Sequence, residues 1–306
     1  MKLRLGHYRF SFRALTPIHF SHYLGSTLRG VFGHALMRMD GLTQTELTNK
    51  GAAYYSSHYA AVFEPPFQLA QVAKGVVGHA VPYVIKAPIH LEQRLQPEDI
   101  FSFEMILLPA ALPHLAAVLL AWRRALLQGL GKRTALAKAE LVLVEQVLED
   151  GGCVELYSEA NPSLRAHNTE IQLPVFTQDQ SLHLCFQTPL RLQHKGKVLA
   201  PNQLTGPLLV QHILRRFCLC FPQHIPQNLP YLFELAQTIQ STKNLHTQDW
   251  KRYSNRQQHK LHLTGVVGDW FLHKVPKELL AYIWLGQYLH VGKNTSFGLG
   301  GYKLLT

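Results

Sequence analysis

Twice along this 306-residue chain, an alternating apolar segment is followed by an apolar stripe at helical spacing, further alternation, a second stripe and a closing alternation. A strand turns successive side chains to opposite faces, whereas one face of a helix recurs every three to four residues, so the two patterns are not interchangeable. In the first half, Leu3, Leu5, Tyr8, Phe10 and Phe12 predict a strand over residues 2–14, closed by Thr16-Pro17. Leu28, Val31, Phe32, Ala35, Leu36 and Met39 predict a helix over Gly25–Met39. Residues 41–98 are rich in turns, with strand-like pieces at 59–63 and 83–85. Residues 99–108 alternate again, Pro113 opens a helix that ends near Gly129-Leu130-Gly131, and residues 138–146 predict a strand.

The second half follows the same order. Residues 182–188 and 190–192 read as strands, 204–221 and 230–240 as helices, 261–270 as a strand, 276–287 as a helix and 302–305 as a final strand. This repetition predicts an α+β fold of two tandem ferredoxin-like (RRM-like) βαββαβ domains, residues 1–178 and 179–306. The boundary is expected in the polar stretch 177–180.

Charge separates the halves. Residues 1–178 carry 16 Lys and Arg against 14 acids, whereas residues 179–306 carry 14 against 5. A C-terminal half so poor in acid suits a polyanionic partner. The four cysteines lie at no paired or zinc-binding spacing, and acidic residues are too scattered for a two-metal nuclease, so no metal or cofactor is expected. Residues 106–122 are the most apolar stretch, but Pro109, Pro113 and His114 interrupt them and they are too short to cross a bilayer. No secretory signal is visible. The expectation is a cytoplasmic protein with free thiols.

Three groups of residues could carry chemistry. On the first helix, Ser26, Gly30, His34 and Arg38 recur every four residues as a ridge separate from the core face, and His22 and Tyr23 immediately precede it. Between Lys243 and His262, five cations face one acid, Asp249, and interleave with Trp250 and Tyr253, a mixture that suits stacked bases and neutralised phosphates. Near the end, Gly292, Gly298, Gly300 and Gly301 surround Lys293, Asn294, Thr295 and Ser296. Such a loop lets backbone amides approach a phosphate chain; it also suits a tight hairpin whose glycines serve turn geometry alone.

Six blocks in order carry a resemblance. They are Leu24-Gly25-Ser26-Thr27-Leu28-Arg29-Gly30-Val31-Phe32-Gly33-His34-Ala35-Leu36, then Tyr59-Ala60-Ala61-Val62-Phe63-Glu64-Pro65, and Gly129-Leu130-Gly131-Lys132-Arg133. Thr188-Pro189-Leu190-Arg191 follows, then Arg252-Tyr253-Ser254-Asn255-Arg256-Gln257 with Gly265 and Gly268, and the terminal Gly292…Gly298-Leu299-Gly300. With these blocks the chain resembles the CRISPR-associated endoribonucleases that process precursor CRISPR RNA, in the repeat-associated mysterious protein (RAMP) superfamily. The resemblance implies tandem ferredoxin-like domains, repeat RNA bound along the glycine-rich loop and the cleft between domains, and metal-independent cleavage. There the ribose 2′-hydroxyl attacks the adjacent phosphate, leaving a 2′,3′-cyclic phosphate and a 5′-hydroxyl. Family members often place a histidine on or near the first helix, and many carry cysteines after it, where residues 51–58 here have none.

Imidazole titrates near neutrality, at about 6.5, and suits proton transfer, while a guanidinium suits the charge on a phosphorane. The expected catalytic set is therefore His34 as base or acid, Arg38 on the phosphate, and Tyr23 and His22 as further candidates for proton transfer or positioning. The expected RNA-binding set is Arg29, Lys251, Arg252, Ser254, Arg256, Gly292, Lys293, Gly298 and Gly300. Partners would be precursor and mature CRISPR RNA and other proteins of a CRISPR effector complex, with no membrane. The competing reading is a non-catalytic RNA-binding RAMP subunit of such a complex, which would need no histidine on that ridge.

Overall fold

Each apolar alternation becomes the buried face of an antiparallel sheet, and each stripe the helix laid over it. The computed structural model describes residues 1–20, 23–65, 71–73, 76–89, 93–130, 136–194, 196–254 and 259–305, with the backbone alone at 71–73, 77, 93, 251–254 and 259–262. Two units result, one from Arg4–Phe67 and Val81–Ile171, the other from Met1–Leu3, Gln68–Ala80 and Gln172–Thr306.

The first unit is a five-stranded antiparallel sheet with two helices on one face. In chain order its elements are β1 (Gly6–Ala14), α1 (Gly25–Met39), β2 (Tyr83–Lys86), β3 (Ile100–Leu107), α2 (Leu115–Gln128), β4 (Ala139–Val147) and β5 (Cys153–Ser158). The strands lie in the order β5-β4-β1-β3-β2. Along β1, Tyr8, Phe10, Phe12 and Ala14 are buried, while Arg9 and Arg13 meet Glu104 and Glu140 on the other face. The helices close over the buried face through a stack of Phe32 on Trp122, ring centroids 4.8 Å apart and 14° from parallel. Phe103 then packs on Trp122 at 4.6 Å. Aromatic pairs of this kind add about 1 kcal/mol each beyond the area they bury.

The second unit has four strands and three helices: β6 (Gln180–Leu190), α3 (Gly206–Cys220), α4 (Leu229–Gln237), β7 (Gln240–Ser254), β8 (His259–Val275), α5 (Lys277–Leu289) and β9 (Tyr302–Leu305). The order β7-β8-β6-β9 repeats that of β2-β3-β1-β4 in the first unit, so both are ferredoxin-like. Its core gathers Leu184, Phe186, Trp270, Leu272, Ile213 and Ile283. Gln71–Ala73 and Val76–Val77 form a short hairpin against α3, which is why residues 68–80 belong to this unit.

Two expectations of local structure differ. Residues 59–63 are a π-helical turn, not a strand: the Tyr59 N–H donates to Asp40 at 2.7 Å and the Glu64 N–H reaches back to the Tyr59 carbonyl. Residues 240–254, read as a polar stretch, are a fifteen-residue strand. Its inward positions include Lys243, whose ammonium donates to the Leu204 carbonyl, so apolar alternation is missing where the core would need it. The β6–β8 pairing stops at Leu190 opposite Val266, but β7 and β8 stay paired to Ser254 opposite His259, extending a two-stranded ribbon past the sheet.

Gly33 on α1 is a packing glycine. A Cβ there would lie 2.2 Å from the Phe63 ring, whereas one at Gly30 would meet nothing within 4 Å. Gly33→Ala should therefore lower the unfolding free energy from urea titration by an amount on the order of 2 kcal/mol. Gly30→Ala should raise it by about 1 kcal/mol through helix propensity. Equal shifts of the same sign would contradict this packing.

Candidate nucleic-acid interface

The ridge on α1 reaches solvent as its spacing requires. Gly25, Leu28, Phe32, Ala35 and Leu36 are buried, and His34 and Arg38 are exposed one turn apart. Arg38 Nη1 donates to Gln128 Oε1 at 2.5 Å, which tethers the guanidinium to the end of α2 while its other donors remain for a ligand. Among the described residues His34 has no hydrogen bond or ion pair. With open space above Gly30, the imidazole stands beside a shallow step in the helix surface.

Other residues expected at this site are placed differently. Tyr23 is half-buried against the core, and burial pushes its phenol pKa up, so it keeps its proton at neutral pH. The Arg29 guanidinium lies 4.2 Å above the Phe63 ring and beside Tyr83, so its charge sits in an aromatic wall. His22 lies outside the described residues, as do Lys132 and Arg133.

The glycine-rich loop is shaped by close packing. Gly292, Gly298 and Gly300 all have left-handed φ, and a Cβ on Gly300 would fall 1.8 Å from the Val291 carbonyl oxygen. The N–H of Gly298 donates to Thr295 O at 2.8 Å and that of Gly300 to Pro189 O at 3.1 Å. Thr188 Oγ1 bridges the loop, donating to Gly298 O and accepting from Gly301 N, both at 2.8 Å. Gly298 and Gly300 are therefore buried and their amides are engaged within the chain. This corrects the expectation that they offer amides to a ligand: their missing Cβ atoms let the loop close. The outward part is the tip, where Lys293 is exposed and Gly292 and Asn294 are half-buried. His290 is buried, its ring against Gly301 and its Nδ1 3.2 Å from Leu299 O.

Beside that tip stands Arg191, named in the sequence only within a family block, and near Lys293 lies His212, which the sequence did not single out. Arg191 Nη1 donates to Asn294 Oδ1 at 2.6 Å, and burial lowers the pKa of its guanidinium. On α3, burial together with the charges of Arg215 and Lys293 pushes His212 down to about 4. His212 and Arg215 share a helix face at a spacing of three, a signal legible in the sequence but overridden by the apolar stripe beside it. Arg191 and Lys293 thus place two cations at one exposed loop tip, where a phosphate would be favoured, whereas Arg215 lies over the Phe233 ring, 5.7 Å from its centroid.

The projecting ribbon pairs Lys251 with His262, Arg252 with Leu261, Tyr253 with Lys260 and Ser254 with His259. Arg256 and the side chains of Lys251, Arg252 and Ser254 lie outside the described residues. Among the described residues no three His, Cys, Asp or Glu are grouped to hold a metal, and no helix is long and apolar enough to cross a membrane. All four cysteines are free; burial pushes the Cys218 thiol up to about 11.

Two ferredoxin-like units follow one another in the chain, the second with a glycine-rich loop before its last strand. A family model described as an N-terminal domain matches residues 3–169, and the model for CRISPR-associated endoribonuclease Cas6 matches residues 184–302. The second unit thus matches the family of CRISPR-associated endoribonucleases over most of its length. No curated protein sequence matches it. Among solved structures it is similar to a Cas6 product complex, with TM-score 0.58 and 16% identity over 98% of this chain and 100% of the other. It is likewise similar to a Thermus thermophilus Cas6, with TM-score 0.54 and 15% identity over 99% of both chains. A partial Cas6-RT-Cas1–Cas2 complex matches with TM-score 0.56 and 16% identity over 99% of this chain, which spans 46% of that longer chain.

The His212 environment sets a pH dependence. Its folded pKa, about 4, lies below the ordinary value of 6.5, so between those values the unfolded chain binds the extra proton. Stability should fall as pH drops from 6.5 towards 4, and this contribution should level off below. Urea midpoints of His212→Gln should lose less over that interval than wild type; parallel profiles would show that His212 titrates normally.

Proposed function

We propose that this protein is a metal-independent endoribonuclease that cuts precursor CRISPR RNA within its repeats to release mature guide RNA. The observation that carries this reading is the exposed imidazole and guanidinium of His34 and Arg38, one turn apart on α1, in a chain whose second unit matches the Cas6 family. A base removes the ribose 2′-proton, the 2′-oxygen bonds to the adjacent phosphorus, and the bond from phosphorus to the 5′-oxygen breaks. The departing 5′-oxygen takes up a proton, leaving a 2′,3′-cyclic phosphate and a 5′-hydroxyl. His34 performs one of these proton transfers, and Arg38 neutralises charge on the phosphorane. Tyr23, held protonated by burial, can only donate, and His22 is the other proton-transfer candidate.

Within the second unit, RNA backbone is held by Lys293 and Arg191 at the loop tip, by Lys251 and Arg252 of the ribbon, and by Arg256. Ser254 adds a hydroxyl and Gly292 keeps the tip low. The chemistry needs no metal: two proton transfers and a fixed cation supply what a metal-bound hydroxide would. Precursor and mature CRISPR RNA are the nucleic-acid partners. Other CRISPR proteins are proposed as partners, since a similar chain occurs in a complex with Cas1 and Cas2.

Labelled repeat RNA with EDTA present tests the reaction. Wild type should cut it, spare a copy with one 2′-deoxy nucleotide at the cleavage site, and lose at least about a hundredfold in single-turnover rate on His34→Ala. Tight binding without cleavage by wild type would favour a non-catalytic RAMP subunit. For binding, Arg252→Ala/Arg256→Ala should weaken affinity and reduce the log–log salt slope by roughly 0.7 per lost phosphate contact. An unchanged slope and affinity would remove the ribbon from the interface.

A further inference from the structure

We propose that the open face of the second unit's sheet is a stacking platform for an unpaired RNA nucleotide, with a base lying on the Phe271 ring. The inference rests on the reading above that the ligand is RNA, and adds a site on a face away from the helices. Strand register lines up Thr242, Phe271, His183 and Leu305 in one row across β7, β8, β6 and β9. Phe271 is 38% exposed although Trp270 and Leu272 beside it are fully buried, so its ring is presented outward by the strand's alternation. A phenylalanine so exposed contributes little to the core, which is complete beneath it.

The row is built to hold a flat ring. The His183 imidazole stacks on Phe271 at 4.2 Å and 24°, and its Nε2 lies 2.7 Å from Asp269 Oδ1, which pins its orientation. One side of Phe271 is therefore taken by a fixed aromatic partner. On the other side stands Thr242, exposed and too small to cover a six-membered ring, its Oγ1 3.0 Å from His273 Nε2, so the His273 ring borders the slot. A base entering over Thr242 would extend the stack to three rings. The next row places Asn244, Asp269, Cys185 and Lys303 side by side, and exposed Lys303 supplies a cation within reach of the nucleotide's phosphate. In RNA-binding sheets of this topology bases stack on rings of the two central strands; β6 and β8, which carry His183 and Phe271, are the central strands here. The half of the chain that holds this face carries 14 basic residues against 5 acidic.

The test uses cognate repeat RNA with 2-aminopurine placed at successive unpaired positions, each read by fluorescence on binding. Wild type should quench the probe at one or two positions. Phe271→Ala should abolish that quenching and weaken binding about tenfold, the lower end of what one lost base–ring stack produces. Phe271→Tyr should keep both properties. Thr242→Trp, which fills the slot while leaving Phe271 and the core in place, should also abolish quenching. Wild-type binding and quenching by both Phe271→Ala and Thr242→Trp would overturn the platform while leaving the RNA reading intact, as expected if this face meets a protein. Wild type that binds no repeat RNA would overturn both.

Discussion

At Gly300 the chain folds so tightly onto Val291 that no side chain fits between them, and much of the second unit's geometry follows. With φ of +69° and a Cβ position only 1.8 Å from the Val291 carbonyl oxygen, only glycine closes this loop. Closure lets the Val291 N–H donate to Gly300 O while the Gly300 N–H donates to Pro189 O. The end of α5, the end of β6 and the start of β9 are thereby joined at one point. It also drives Gly292, Lys293 and Asn294 outward, because everything behind them is buried. The exposed cation is a consequence of the packing beneath it.

The two units share a strand order and put it to different uses. In the first, aromatic stacking of Phe32 on Trp122 clamps α1 onto the sheet, so the opposite face of that helix is held rigid in solvent. The proton transfer and charge neutralisation proposed for His34 and Arg38 would need that rigidity, since misplacement of about 1 Å costs orders of magnitude in rate. In the second unit the exposed features are cations around a loop tip, a ribbon reaching past the sheet, and a ring presented on its open face. Under the proposed function these features would hold a long charged ligand at several points along its backbone.

Much of the fold is legible in residue spacing. Tyr8, Phe10 and Phe12 fall on the buried face that their alternation requires, and Leu28, Phe32 and Leu36 on the core side of α1. Spacing failed where burial did not follow hydrophobicity. Tyr59, Val62 and Phe63 look like strand residues, but Asp40 captures the Tyr59 N–H and winds them into a π-turn. Residues 240–254 look like a loop because Lys243 occupies an inward position, bonded to a carbonyl and not packed on oil-like neighbours.

The candidate sites divide along the same line. His34 and Arg38 could be paired from sequence alone, because four residues along a helix is a fixed distance of about 6 Å. The spacing of Gly292, Gly298 and Gly300 announced a loop that tolerates no side chains, but not whether the room was for a ligand or for the chain itself. Arg191 beside Asn294, His212 beside Lys293, and His183 stacked on Phe271 join positions some eighty to a hundred residues apart. Local periodicity carries no information about such pairs; only strand register and helix docking bring them together. The sequence by itself determined the order of strands and helices and the exposed face of α1, because those follow from short-range geometry. Which distant cations share a loop tip, and which ring faces solvent on the sheet, were decided by the packing of whole elements against one another.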